Sequence, residues 1–198
     1  MVPLNVSAIT IQYPVEVCKP MSKVDYDTEI GWLITNPRRN NFIAKLATTC
    51  KGTTLVFFRF EDHGKVLYDK IKELVGDSRK VFFISGKVSR EERETIRKAA
   101  NDGDAMIICS MGTMSAGVNI PAVENIVNGH PVKSKITFLQ SIGRGLRLKE
   151  GKTHCNLFDI GDSLAYKTKV NTTFKHFGER LNLLISEGHT FKRVTVQF

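Results

Sequence analysis

The chain has no Cys-x-x-Cys pair, and its four cysteines (Cys18, Cys50, Cys109, Cys155) are widely and irregularly spaced. That excludes a zinc ribbon and a dithiol redox centre, and no metal ligand set is expected. Cys109 and Cys155 lie in apolar runs, as buried thiols do, and a reducing cytoplasmic setting fits. No run of 18 apolar residues exists and no basic segment precedes the first apolar stretch, so neither a membrane span nor a secretion signal is expected, and no membrane partner. No Gly-x-x-x-x-Gly-Lys-[Ser/Thr] loop is present. The nearest string is Gly151-Lys152-Thr153, but Leu146 stands at the required first glycine and Gly145 is one residue too far away. No Asp-Glu-x-His or similar acidic string follows an apolar strand either. The lysine and the acid that hold a magnesium-bound nucleotide are therefore missing. Internal repeats and low-complexity segments are also lacking.

What remains is a soluble composition, 41% hydrophobic and 25% charged over 198 residues, enough for one domain with a sizeable core. The net charge of +9 is unevenly spread. Residues 1–60 carry 7 basic and 4 acidic side chains, residues 61–129 carry 10 and 11, and residues 130–198 carry 12 and 5. A field concentrated in the last third points to a polyanion, nucleic acid or nucleotide. The bland alternative is a solvated basic face kept for solubility.

From residue 53 onward apolar runs alternate with helical patterns. Thr53–Phe58, Val81–Ile84, Ala105–Cys109, Asn125–Asn128 and Thr153–Ile160 read as strands. They are continuously apolar rather than alternating, as parallel strands covered on both faces are. Glu61–Val75 reads as a helix stopped by Gly76. Ser89-Arg-Glu-Glu92 has capping-box spacing and opens a helix to about Asn101. Lys135–Leu148 reads as a further helix. The pattern predicts a doubly wound α/β domain. Val6–Tyr13 reads as a strand; residues 14–40 hold three prolines and no clear period apart from a short helix near Thr28–Thr35. Asn40–Thr48 reads as a helix leading into the sheet. Phe174, Phe177, Leu181 and Leu184 mark one face of a helix ending near Gly188, and His189–Phe198 could add a last strand. The expected division is 1–50 as an N-terminal strand and connecting segment, 51–160 as the core, and 161–198 as a C-terminal helix and strand packing on it.

Two segments carry chemistry. In Gln140-Ser-Ile-Gly143-Arg144-Gly145-Leu-Arg147, helical spacing sets Arg144 and Arg147 about +40° and −20° from Gln140. Leu139, Ile142 and Leu146 fall roughly 200–260° round, where they can face a core. Each interior glycine costs about 1 kcal/mol relative to alanine, so close approach or a special angle is expected there. Two guanidinium forks in one stripe suit phosphate oxygens and the charge that develops in phosphoryl transfer. The alternative is an amphipathic surface helix whose arginines meet water. The second segment, Ser110 to Pro121, follows a strand directly, where open α/β sheets bind ligands, and its glycines and hydroxyls expose backbone N–H groups. Alone, it reads equally as a turn-rich loop.

In this order and spacing the two segments resemble motifs V and VI of the superfamily 2 helicases. The resemblance implies a RecA-like fold, the second motor domain of a helicase with a C-terminal helical extension. It implies that Arg144 and Arg147 are arginine fingers, and that Gly117, Asn119, Gln140 and Gly143 border the nucleotide, Asn119 near the ribose. The resemblance also implies that the hydroxyls of Ser110 and Thr113 face the nucleic-acid backbone. The expected DNA track adds Arg59, Ser85, Gly86 and Lys87, with Lys133 and Lys135 chosen because they precede the motif VI helix near the carboxyl edge of the sheet. The implied cofactors, ATP and Mg²⁺, belong to the full two-domain protein; the implied partners are DNA and an N-terminal RecA-like domain carrying the missing motifs. Asn119 stands where many relatives have Asp, Met111 where a phosphate-contacting Thr is common, Ser85-Gly86 in place of His-Gly, and Ser141 where Arg is frequent. These departures point away from the DEAD-box RNA helicases.

A narrower resemblance, to the C-terminal halves of phage recombination helicases, is carried by Asn40–Ala47, His63-Gly-Lys65, Val81–Gly86, Gly129–Ile136 and Asp159. It implies ATP-driven remodelling of branched DNA: fork regression, junction migration and unwinding of displacement or RNA–DNA loops. Two other readings compete. One is a non-enzymatic nucleic-acid-binding module with a helicase-like fold. The other is a dinucleotide-binding oxidoreductase, discounted because Leu148 replaces its third glycine and a helix, not a strand, precedes Gly143.

Overall fold

A computed structural model describes residues 1–115 and 120–198, without the side chains of 114, 115, 144 and 145. Seven strands form one all-parallel sheet in the order β3-β4-β2-β5-β6-β1-β7. They are β1 (Leu4–Gln12), β2 (Thr53–Phe58), β3 (Lys80–Ile84), β4 (Ala105–Ser110), β5 (Val123–Asn128), β6 (Cys155–Ser163) and β7 (Phe191–Gln197). The helices are α1 (Val15–Met21), α2 (Tyr26–Thr35), α3 (Pro37–Thr49), α4 (Glu61–Val75), α5 (Arg90–Asn101), α6 (Met111–Ser115), α7 (Lys135–Gly145) and α8 (Thr172–Ser186). The doubly wound α/β class read from the sequence holds.

The continuous apolar runs are explained by burial on both faces. Leu55, Phe57, Ile107 and Cys109 point into one layer, which α5, α7 and α8 close with Ile96, Phe138, Ile142, Phe177 and Leu184. Val56, Phe58, Met106 and Ile108 point into the other, closed by Ile43 and Ala47 of α3 and Leu67 and Ile71 of α4. α8 lies so close to β6 that a side chain at Gly161 would meet the Phe177 ring at 2.3 Å. All four cysteines are buried free thiols, and burial pushes Cys50 and Cys155 up to about 11.

The expected local signals recur in place. Ser89 Oγ accepts from the Glu92 N–H at 3.1 Å, and α4 stops at Gly76, whose φ is +53°. β1 pairs with both β6 and β7, so residues 1–50, 51–160 and 161–198 all contribute strands to one sheet. Three elements depart from the sequence reading. α1 forms where prolines hid it: Pro14 is its N-cap and Pro20 sits near its end. The loop after β4 opens with the short helix α6. α7 ends at Gly145 rather than Leu148, because Leu146 turns out of helical geometry and its carbonyl accepts the Val2 N–H at 3.0 Å. No helix among the described residues is long and apolar enough to cross a membrane.

Candidate nucleotide and nucleic-acid site

A cleft of about 940 Å³ opens at the carboxyl edge of the sheet. Arg59 enters it from the end of β2, Ser110 and Met111 from the end of β4, and His130 from beyond β5. Its remaining wall is Val132, Lys133 and the first turn of α7, with Glu179 of α8 opposite. Ser134 caps α7, its Oγ accepting from Thr137 N–H at 3.2 Å. By helix geometry the Lys135 and Ile136 amides then have no intrahelical acceptor. Arg59, Lys133 and Lys135 are exposed; Lys135 faces Glu179 at 3.6 Å, with both side chains about half exposed.

Four of the eight residues read as a DNA track therefore line one cleft: Arg59, Ser110, Lys133 and Lys135. Ser85, Gly86 and Lys87 follow β3 at the same sheet edge but do not line it. The Lys87 ammonium meets Glu61 at 3.3 Å, and the Arg93 guanidinium holds the Gly86 carbonyl at 3.2 Å. Thr113 is buried, and its hydroxyl shares a 2.7 Å hydrogen bond with Ser110. These two hydroxyls brace the start of α6.

Of the residues read as nucleotide-facing, Gln140 and Gly143 lie elsewhere, along the second half of α7. That helix buries Phe138, Ser141 and Ile142 and exposes Gln140. Leu139, expected in the core, is only half-buried, and Phe138 takes its place. Ser141 is fully buried and its hydroxyl donates to the Thr137 carbonyl at 2.8 Å. Gly143 is helical, and among the described residues a side chain there would meet open space. Arg147 is exposed but lies beyond the helix end, so it does not share the helical stripe with Gln140 as expected. The Arg144 backbone belongs to α7; its side chain, like Gly117 and Asn119 altogether, lies outside the described residues.

The connection from β5 to α7 is held by a polar network that the sequence reading did not single out. The buried Arg39 guanidinium pairs with Asp162 at 2.8 Å and donates to the Gly129 carbonyl at 3.0 Å. The buried Arg180 guanidinium pairs with Asp159 at 2.9 Å and donates to the Val132 carbonyl at 2.7 Å. Asn128 adds a 2.7 Å hydrogen bond to Asp159. Between the two clamps sits His130, fully buried and edge-on to Phe60, with no hydrogen bond to either ring nitrogen among the described residues. Burial drives its pKa well below the usual histidine range, and neighbouring His63, Arg39, Arg59 and Arg180 add to this. His63, held by Asn40 at 3.1 Å, is pushed down to about 3 by burial and by Arg39. Both rings are neutral at pH 7.

Residues 38–149 match the family described as the helicase conserved C-terminal domain. With the seven-stranded parallel sheet, this places the chain in that family: it is a RecA-like C-terminal helicase domain, as the motif resemblance implied. It is 34% identical over 189 residues to the ATP-dependent DNA helicase uvsW of Enterobacteria phage T4, covering 93% of this chain and 37% of that protein. It is 27% identical over 141 residues to the putative ATP-dependent helicase IRC3 of Saccharomyces cerevisiae, covering 71% of this chain and 19% of that protein. The crystal structure of T4 UvsW superposes with a TM-score of 0.84 at 30% identity, over 98% of this chain and 42% of that one. The C-terminal domain of the DEAD-box protein Dbp5, 15% identical with a TM-score of 0.60, covers 96% of this chain and 90% of that one and shares the fold alone. The chain thus spans less than half the length of the curated helicases it matches.

Proposed function

We propose that this domain is the C-terminal motor half of an ATP-dependent DNA helicase that remodels branched DNA, regressing forks, migrating junctions and unwinding displacement or RNA–DNA loops. The observation that carries the reading is Gly143. It weakens a helix whose other face is packed into the core, yet nothing described within the chain needs the missing side chain. The space it leaves suits an occupant from outside: a nucleotide held against a first motor domain. Gln140 and Gly143, with Gly117 and Asn119, would border that nucleotide, and Arg144 and Arg147 would neutralise charge at the γ-phosphate during transfer. No residue set in the sequence supplies the Walker lysine and acid. Those come from the first domain, and this chain alone is expected not to hydrolyse ATP. Arg59, Ser110, Lys133 and Lys135 in the carboxyl-edge cleft, flanked by Ser85, Gly86, Lys87 and Thr113, would form half of the DNA track. Separation of Gln140 and Gly143 from the cleft supports a motor that grips DNA with one surface and closes on nucleotide with another.

Gly143→Ala in the two-domain enzyme tests this reading. Alanine relieves a helix cost of about 1 kcal/mol, so the variant should be as stable as wild type or slightly more so. Its ATP hydrolysis should fall sharply. A stable variant with undiminished hydrolysis would place the nucleotide elsewhere.

A further inference from the structure

The segment that delivers α7 is fixed by a residue from the C-terminal extension. Arg180 of α8 reaches through the layer of helices to the sheet. Its Nε donates to Asp159 Oδ2 at 2.9 Å and its Nη2 to Oδ1 at 3.0 Å, a forked pair with a β6 carboxylate. Nη2 also donates to the Ile160 carbonyl at 3.3 Å. Nη1 turns the other way and donates to the Val132 carbonyl, two residues before the α7 cap. The guanidinium lies 5.5 Å from the ring centre of Phe138, in the first turns of α7, and 5.6 Å from that of Phe177 on its own helix. One planar group therefore joins β6, α8, the connecting segment and the core-facing side of α7. At the far end of the same segment, Arg39 repeats the arrangement with Asp162 and the Gly129 carbonyl.

We infer that Arg180 is a positioning residue for α7: it ties Val132 and Phe138 to β6 and so sets where the second half of the helix carries Gln140 and Arg144 and where the chain leaves it toward Arg147. This rests on the reading of α7 as the helix that carries the fingers. A rigid fork suits the task because several donors are fixed in one plane, and lysine cannot reproduce them from a single point. The C-terminal extension thereby takes part in the motor's chemistry without touching nucleotide. A finger must meet the developing charge within a fraction of an ångström, so a small displacement of its helix acts on turnover more than on substrate affinity.

The test is DNA-stimulated ATP hydrolysis by the two-domain enzyme, with thermal unfolding and DNA binding measured on the same preparations. Arg180→Lys keeps a charge for Asp159 but loses the simultaneous bonds to Val132 and Ile160. Its kcat should fall about 10- to 100-fold, the scale of a misplacement transmitted to a reacting group. KM for ATP and Kd for DNA should stay within about 2-fold, since uniform binding is not what the residue supplies. Asp159→Asn, which leaves the fork one neutral oxygen, should show the same split. Arg144→Ala, run in parallel, reports on the finger reading itself. If it hydrolyses ATP at the wild-type rate, that reading fails and Arg180 has no finger to position. If Arg144→Ala is inactive while Arg180→Lys and Asp159→Asn keep wild-type kcat, the positioning role alone is overturned. It is equally overturned if both variants lose the native fold, or if kcat, KM and Kd worsen together, because the pair is then a general support of the sheet.

Discussion

Arg180 and Asp159 form a forked ion pair in the interior, with side chains 1% and 0% exposed. Such a pair is a poor source of net stability but a costly thing to break, because the surviving charge stays buried. Arg180→Ala should therefore destabilise the chain by about 3–5 kcal/mol. Replacing both partners, as Arg180→Met with Asp159→Leu, should cost much less than the sum of the single changes, since neither leaves a charge behind. Urea denaturation of wild type, Arg180→Met, Asp159→Leu and the double variant measures the coupling, and additive losses would show that the two residues do not depend on each other.

Much of this was legible in the sequence, for identifiable reasons. Strands buried on both faces write themselves as unbroken apolar runs, so β2 to β6 stood out. Ser89 and Gly76 marked helix ends by chemistry that acts locally. Arg39 and Arg180 were missed, although their spacing gave them away: Arg39 shares a helical face with Ile43 and Ala47, and Arg180 with Phe177 and Leu184. A charge at a core position announces a buried partner, but which aspartate answers it depends on the sheet order. The end of α7 was not legible, because the N–H that turns the chain at Leu146 comes from Val2. Prolines concealed α1, since Pro14 and Pro20 read locally as breakers. In the candidate site, the carboxyl-edge cleft followed from strand ends, whereas its separation from Gln140 and Gly143 required the helix to be placed.

His63 and His130 make stability depend on pH. Both have folded-state pKa values far below the ordinary value of about 6.5, His63 at about 3. The unfolded chain takes up these protons below about pH 6.5 and the folded chain refuses them. Stability is thus complete above that pH and is lost as pH falls toward 3, by up to about 1.4 kcal/mol per unit for each ring. Denaturation midpoints measured from pH 7.5 to 5 should fall accordingly. His130→Phe should remove one ring's share of the slope, and a wild-type profile that stays flat would mean the folded chain accepts the protons.

The fingers should separate chemistry from folding. In the two-domain enzyme, Arg144→Ala or Arg147→Ala should lower kcat by about 10³-fold, the scale of an arginine finger. Arg147 is exposed beyond the helix end, so its replacement should leave the unfolding midpoint almost unchanged. Single-turnover hydrolysis with bound DNA distinguishes this from slow product release. Wild-type rates in both variants would return α7 to the status of a surface helix.

DNA affinity should follow the charge distribution. Residues 130–198 hold 12 basic and 5 acidic side chains, and the exposed Lys133 and Lys135 stand at the mouth of the carboxyl-edge cleft. Lys135 is engaged by Glu179, but an exposed pair of this kind contributes only about 0–1 kcal/mol and yields readily to phosphate. Binding should be weak and independent of sequence, with log affinity falling linearly against log salt by about 0.9 per phosphate on duplex and about 0.7 on single strands. One half of a DNA track should give a slope corresponding to roughly 2–4 contacts. The double variant Lys133→Ala, Lys135→Ala should reduce that slope by about one or two units, equally for unrelated sequences. Fluorescence titration of a labelled fork and a scrambled duplex over a salt series measures both quantities. A slope unchanged in the double variant would remove these lysines from the track, whereas loss of binding at every salt concentration would show that the domain grips DNA only when closed against its partner.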